Sequence, residues 1–62
     1  MTDLWTMTEA RLPPVGQVVE TKISDTSGER NHARLKRDGR LWWTESGSMY
    51  VYYTPTHWRP VQ

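Results

Sequence analysis

The stretch Arg34-Leu35-Lys36-Arg37-Asp38-Gly39-Arg40-Leu41-Trp42-Trp43-Thr44-Glu45-Ser46-Gly47-Ser48-Met49-Tyr50-Val51-Tyr52-Tyr53 decides the fold, because two turn signals interrupt runs of strand-forming residues. Asp38-Gly39 is the stronger signal. A two-residue type I′ loop needs positive φ at both central positions, and Asp-Gly adopts it with little strain. Two antiparallel strands are expected to meet there. That loop sets Arg37 against Arg40, Lys36 against Leu41, Leu35 against Trp42 and Arg34 against Trp43. A second loop at Ser46-Gly47 sets Thr44 against Met49, Trp43 against Tyr50, Trp42 against Val51 and Leu41 against Tyr52.

Directly opposed residues share a face of a sheet. The two registers together predict one face of Ala33, Leu35, Trp42, Thr44, Met49, Val51 and Tyr53, which reads as core. The opposite face holds Arg34, Lys36, Leu41, Trp43, Tyr50 and Tyr52. It is aromatic and flanked by cations, and is either a binding platform or the inner wall of a second layer.

Outward from this stretch, size sets the energetics. The chain has 62 residues, 35% of them hydrophobic, with four Trp, three Tyr and no Phe. So small a single domain is expected to have a stability of about 3–5 kcal/mol. The rings must therefore carry most of the apolar burial. With no Cys there are no disulfides, thiolate metal sites or Cys nucleophiles. Met1 to Leu12 carries Asp3, Glu9 and Arg11 and does not read as a secretion signal. No segment has the apolar length of a membrane span. A soluble, cytoplasmic protein without a membrane partner is expected. The net charge of +1 is too small to imply a nucleic-acid partner by its field alone, although basic residues concentrate between Arg30 and Arg40.

Along the chain, Trp5 and Met7 suit one side of a short strand, followed by irregular chain. Leu12-Pro13-Pro14-Val15-Gly16 is a breaker cluster and predicts a loop. From Gln17 to Ser24, Val19, Thr21 and Ile23 alternate with Val18, Glu20 and Lys22, the pattern of a half-buried strand. Ser24 to Asn31 is polar and predicts an exposed connection. Near the end, Pro55 and Pro60 flank Trp58 and suggest a 3₁₀ turn or an edge segment that docks this ring on the sheet, and Trp58 and Trp5 at the two ends are expected to pack near each other.

Trp5, Leu12-Pro13 and Gly16 near the start, with Thr56-His57-Trp58 and Pro60 near the end, resemble a family of short phage and prophage proteins known as a domain of unknown function. Its members open with W-x-x-V-x-x-x-L-P-x-x-G and close with T-H-W-M-P-L-P. The opening Val is absent here, Arg59 and Val61 stand for the Met and Leu, and the last Pro is missing. The resemblance implies a phage or prophage origin; it carries over no catalytic residue and no ligand. In architecture the chain is similar to SH3-like small barrels, where tight hairpins lead to a 3₁₀ turn before a last short strand.

Chemical constellations are sparse. His32 and His57 are the only His and lack ligand-spaced acids, so no metal and no cofactor is expected. Asp25-Thr26-Ser27-Gly28 is one residue longer than an aspartic-protease loop and reads as a solvated Asx turn. Asp3, Glu9 and Glu20 are scattered and read as surface charges. Neither a nucleophile elbow nor a phosphate loop is present. The expectation is an all-β antiparallel meander over residues 1–62, possible as an SH3-like barrel, that is not an enzyme. Its binding surface is expected at Arg34, Lys36, Trp43, Tyr50 and Tyr52, facing a host or phage protein. Single-stranded nucleic acid on the same rings and structural self-association are the alternatives.

Overall fold

A computed structural model describes residues 4–61. Six strands, β1 (Thr6–Met7), β2 (Val18–Asp25), β3 (Gly28–Asp38), β4 (Leu41–Thr44), β5 (Tyr50–Val51) and β6 (His57–Pro60), form one antiparallel sheet. Their order across it is β1-β6-β2-β3-β4-β5. The all-β expectation holds, and among the described residues there is no helix. The sheet is open. β1 and β5 are its two edges and do not pair with each other, so it is not the closed SH3-like barrel.

The centre is built as the alternation in Val18 to Ile23 requires. Val19 pairs with Leu35 on one side and Pro60 on the other, while Thr21 pairs with Ala33 and Trp58. Residues facing the same way along these strands meet in a small core of Val19, Leu35, Trp42 and Trp58, with Val51 and Tyr53 packed against it. Thr21 is buried among them and donates its Oγ1 proton to the Ala33 carbonyl at 2.9 Å, so its hydroxyl is not stranded in the interior.

The terminal segment departs from the expected 3₁₀ turn. His57–Pro60 is a strand lying between β1 and β2, and Pro60 closes its end where no further ladder bond is needed. Thr56 extends this arrangement: its N–H donates to the Lys22 carbonyl at 3.0 Å and its carbonyl accepts from Thr8 N at 2.9 Å. The Trp58 ring enters the core, and its Nε1–H donates to the Arg11 carbonyl at 2.8 Å. That bond draws the irregular segment after β1 over the open core face. Farther along, the buried Pro13 offers its carbonyl to the Arg37 Nε and Nη2 at 3.4 and 3.3 Å, and Gly16 N donates to the Arg37 carbonyl at 2.9 Å. The Pro-rich loop is thus a lid on the core.

Both central hairpins form, with different loops from those expected. Asp38 pairs with Leu41, Arg37 with Trp42, Lys36 with Trp43 and Leu35 with Thr44. The first loop is therefore Gly39-Arg40. Gly39 has φ +66° and Arg40 is not in the positive region, which is the pattern of a type II′ turn with Gly first. Relative to the expected register each partner moves by two residues. A shift of two preserves the side on which every residue lies, where a shift of one would exchange the faces. The second hairpin keeps the expected pairs Trp42 with Val51 and Trp43 with Tyr50, but its loop is wider. Gly47 N bonds the Thr44 carbonyl at 2.8 Å and Thr44 N bonds the Met49 carbonyl at 2.8 Å, leaving residues 45–48 as the connection.

The core expectation holds for Leu35 and Trp42, while Thr44, Val51 and Tyr53 are half-buried. Ala33 and Met49 are exposed instead. Met49 precedes the edge strand β5, beyond which no element covers it. Tyr52 does not pair with Leu41, because β5 ends at Val51. The connection from Ser24 to Asn31 is also shorter than expected: both strands run into it, leaving only Thr26-Ser27 as a turn. Asp25 Oδ1 accepts from Ser27 N at 2.9 Å, the Asx geometry anticipated for this loop.

With its core cluster built on Val19, Leu35, Trp42 and Trp58, the domain has little redundancy. Trp42→Ala is expected to cost about 3–5 kcal/mol, comparable with the whole stability of a domain this small. Denaturant melting should show an unfolded variant; a midpoint close to that of the parent would place Trp42 outside the core.

Candidate functional site

The outward face of the sheet carries the expected binding residues but divides them. Lys36 pairs with Trp43, and Trp43 pairs with Tyr50, the two rings meeting edge to face with centroids 5.4 Å apart. Arg34 was expected opposite Trp43; the two-residue shift puts Lys36 there and leaves Arg34 opposite Glu20 on β2. Tyr52 lies past the end of β5, is 93% exposed, and touches Tyr53 edge to face at 5.5 Å. Lys36, Trp43 and Tyr50 therefore form one group, Tyr52 projects beside it, and Arg34 belongs to a second group toward β6.

The Lys36 group forms an aromatic corner at the β5 edge. Tyr50, Met49, Tyr52 and Leu41 are all exposed there, and Trp43 is half-buried. Lys36 reaches across to the second loop: a methyl group placed on Gly47 would lie 3.2 Å from its Nζ. Gly47 has φ +80°, so the loop needs glycine for its conformation, and the Lys36 ammonium lies close beside it. Lys36, Asp38, Trp43, Gly16 and Gly47 line a cavity of about 350 Å³. Among the described residues no second layer covers these rings, so the face is a surface and not a second core.

The second group is centred on Trp5, whose role the sequence alone does not disclose. Trp5 and Trp58 were expected to pack together. Thr6 pairs with Trp58, so Trp5, one residue earlier, falls on the opposite side of the sheet beside Arg59. The Arg59 guanidinium carbon lies 4.2 Å from the Trp5 ring centre and Lys22 Nζ lies 4.4 Å from it, two cation–π contacts, while His32 meets the ring at its edge. Lys22 is 8% exposed and is neutralised by Glu29 at 2.8 Å. Glu20, read from sequence as a surface charge, accepts from Arg59 Nε at 2.7 Å. Glu9 is exposed, and Asp3 lies outside the described residues.

A β-bulge makes this grouping possible. Thr21 pairs with Ala33 but Ile23 pairs with Arg30, so Asn31 and His32 together oppose Lys22. Asn31 has φ +57°, a left-handed conformation that Asn tolerates better than most residues. The extra residue reverses the alternation along β3, bringing Glu29 onto the same face as His32 and Lys22. Without it Glu29 would point to the other side. His32 lies exposed within β3, 3.5 Å from Glu29. His57 shares β6 with Trp58 but faces away from it, its Nδ1 2.7 Å from Thr56 Oγ1.

No protein-family model, curated protein or solved structure matches this chain. Among the described residues, no helix is long and apolar enough to cross a membrane.

The bulge yields a direct test. Asn31→Gly should leave the melting temperature nearly unchanged, whereas Asn31→Val should destabilise by about 1–2 kcal/mol because a β-branched residue is strained at this φ. Equal melting of the two variants would mean that the bulge relaxes away.

The charged groups make acid stability a second test. The hydrogen bond and charge of Lys22 hold the Glu29 carboxyl below its ordinary value near 4.5, and Arg30 followed by Ser27 N holds Asp25 below its ordinary value near 3.8. A carboxyl depressed in the folded state contributes stability above its unfolded pKa, and this is lost as pH falls through the lowered folded value. Glu29→Gln should therefore melt lower than the parent near neutral pH, with the difference closing below about pH 4. A difference that stays constant with pH would assign the Glu29 effect to packing.

Proposed function

We propose that this chain is a non-enzymatic phage or prophage accessory protein that works as a small protein-binding module in the host cytoplasm, through the aromatic corner and the β5 edge. The observation that carries this reading is the coincidence of exposed rings with an unpaired strand. Tyr50 is 57% and Tyr52 93% exposed, while the core cluster among the described residues is Val19, Leu35, Trp42 and Trp58. β5 has one neighbour, β4, leaving its outer backbone groups free to add a strand. An extended segment of a host or phage protein would pair with this edge and place alternate side chains against Tyr50 and Met49. Tyr, Trp and Met are favoured in such contacts.

The phage association rests on the terminal motifs alone. Support for a non-enzymatic role comes from the local engagement of polar groups: Asp25 with Arg30 and Ser27, His32 with Glu29, and His57 with Thr56. These pairs lie apart on the sheet and do not converge on one cavity. Single-stranded nucleic acid is the second reading, favoured by the exposed rings of Tyr50 and Tyr52 and by Lys36 opposite Trp43.

Capture from bacterial lysate by the parent and by the double variant Tyr50→Ala/Tyr52→Ala, each with and without nuclease, tests both. Both rings are exposed, so the variant should keep the parent's melting temperature. A protein retained by the parent after nuclease treatment and lost by the variant is the expected result. Retention by both would exclude this corner, and loss on nuclease treatment with a steep salt dependence would favour nucleic acid. Self-association would appear as a dimeric mass of the parent alone.

A further inference from the structure

Away from the aromatic corner, Trp5, Glu20, His32, Ala33, Arg34 and Arg59 line a cavity of about 240 Å³ on the outward face of β2, β3 and β6. Its charges are almost, but not fully, matched. Lys22 is held by Glu29 and Arg59 by Glu20. Arg34 stands across the ladder from Glu20, whose carboxylate is committed to Arg59 at 2.7 Å. Among the described residues Arg34 makes no hydrogen bond or ion pair, although it lines the cavity. The Arg34 guanidinium is thus uncommitted among the described residues.

Trp5 does not offer a stacking surface to a base, because Lys22 and Arg59 already lie on its ring at 4.4 and 4.2 Å. It serves instead as an apolar wall of the cavity. One uncommitted guanidinium next to an apolar wall suits a monoanion with a carbon substituent.

We propose that this cavity binds a carboxylate, whose two oxygens accept from the planar Arg34 fork while the attached carbon chain lies along Trp5. Arg–carboxylate pairs are commonly bidentate, and a partly enclosed pair gains over one in open water. The carboxylate can belong to a free small acid or to the C-terminus of a polypeptide. The site is independent of the Tyr50 and Tyr52 corner, so either can fail without the other.

The test is a titration of the isotope-labelled full chain, following the Trp5 indole N–H and the Arg34 Nε–H by nuclear magnetic resonance. The probes are acetate, the tripeptide Gly-Gly-Leu, the same tripeptide amidated at its C-terminus, and chloride at matched ionic strength. Acetate and the free-acid tripeptide should move both signals to saturation, and the amidated tripeptide and chloride should not. Tighter binding of the free-acid tripeptide than of acetate assigns the carboxylate to a chain end; equal affinity assigns it to a small acid. Arg34→Gln should weaken binding about tenfold or more, the loss expected for a hydrogen bond to a charged group. Arg34→Lys should recover only part of it, since an ammonium lacks the fork. Equal shifts from the amidated tripeptide, or an affinity unchanged in Arg34→Gln, would overturn the proposal. Should Arg34→Gln not fold, the comparison of acid with amide on the parent chain decides.

Discussion

The structure depends on a strand formed by the end of the chain being seated between two strands formed near its start. β6 saturates the outer edge of β2, presents its own other edge to β1, and delivers Trp58 to the centre of the core. A sheet of this size buries little on one face, so the position of one indole governs what else can be covered. The bond from Trp58 Nε1 to the Arg11 carbonyl then fixes where the irregular segment crosses the core, and Pro13 follows it under Arg37. An aromatic with a polar handle does two tasks that an aliphatic residue could not: it fills volume and it satisfies a backbone acceptor.

The same insertion creates the chemistry of the other face. Because β1 and β6 are antiparallel with Thr6 against Trp58, placing Trp58 inward puts Trp5 and Arg59 together outward. Lys22 joins them from β2, and the bulge at Asn31 turns Glu29 to meet it. A buried lysine is tolerated only where its charge is compensated, and here a carboxylate and an aromatic face both do so. The face opposite the core is thus polarised along the sheet, with compensated charge at the β6 end and exposed rings at the β5 end.

Much of the fold was legible in the residues. The alternation from Val18 to Ile23 identified β2 and its inward side, and the two Gly-containing turns identified the hairpins. The loop conformation at Asp38-Gly39 was not legible, since both I′ and II′ turns accept Gly and the choice between them depends on how the flanking strands pair. The error was harmless to the faces because it moved the register by two. The grouping of the binding residues was less robust: a shift of two moves a side chain roughly 7 Å along its strand, enough to replace Arg34 by Lys36 beside Trp43.

By itself the sequence determined the strand class of the chain, the hairpins from Leu35 to Val51, and which side of β2, β3 and β4 turns inward, because these follow from local turn chemistry and a period of two. Tertiary structure alone decided that residues 57–60 form an inner strand, that Trp5 and Trp58 lie on opposite faces, and that the sheet stays open with β1 and β5 as edges. Those are pairings between residues 35 to 52 positions apart in the chain, and no local pattern records the partner of a strand. Asn31 joins the two levels. Its side chain permits a left-handed backbone, but only the pairing of β2 with β3 makes that conformation a bulge and sets the charges around Trp5.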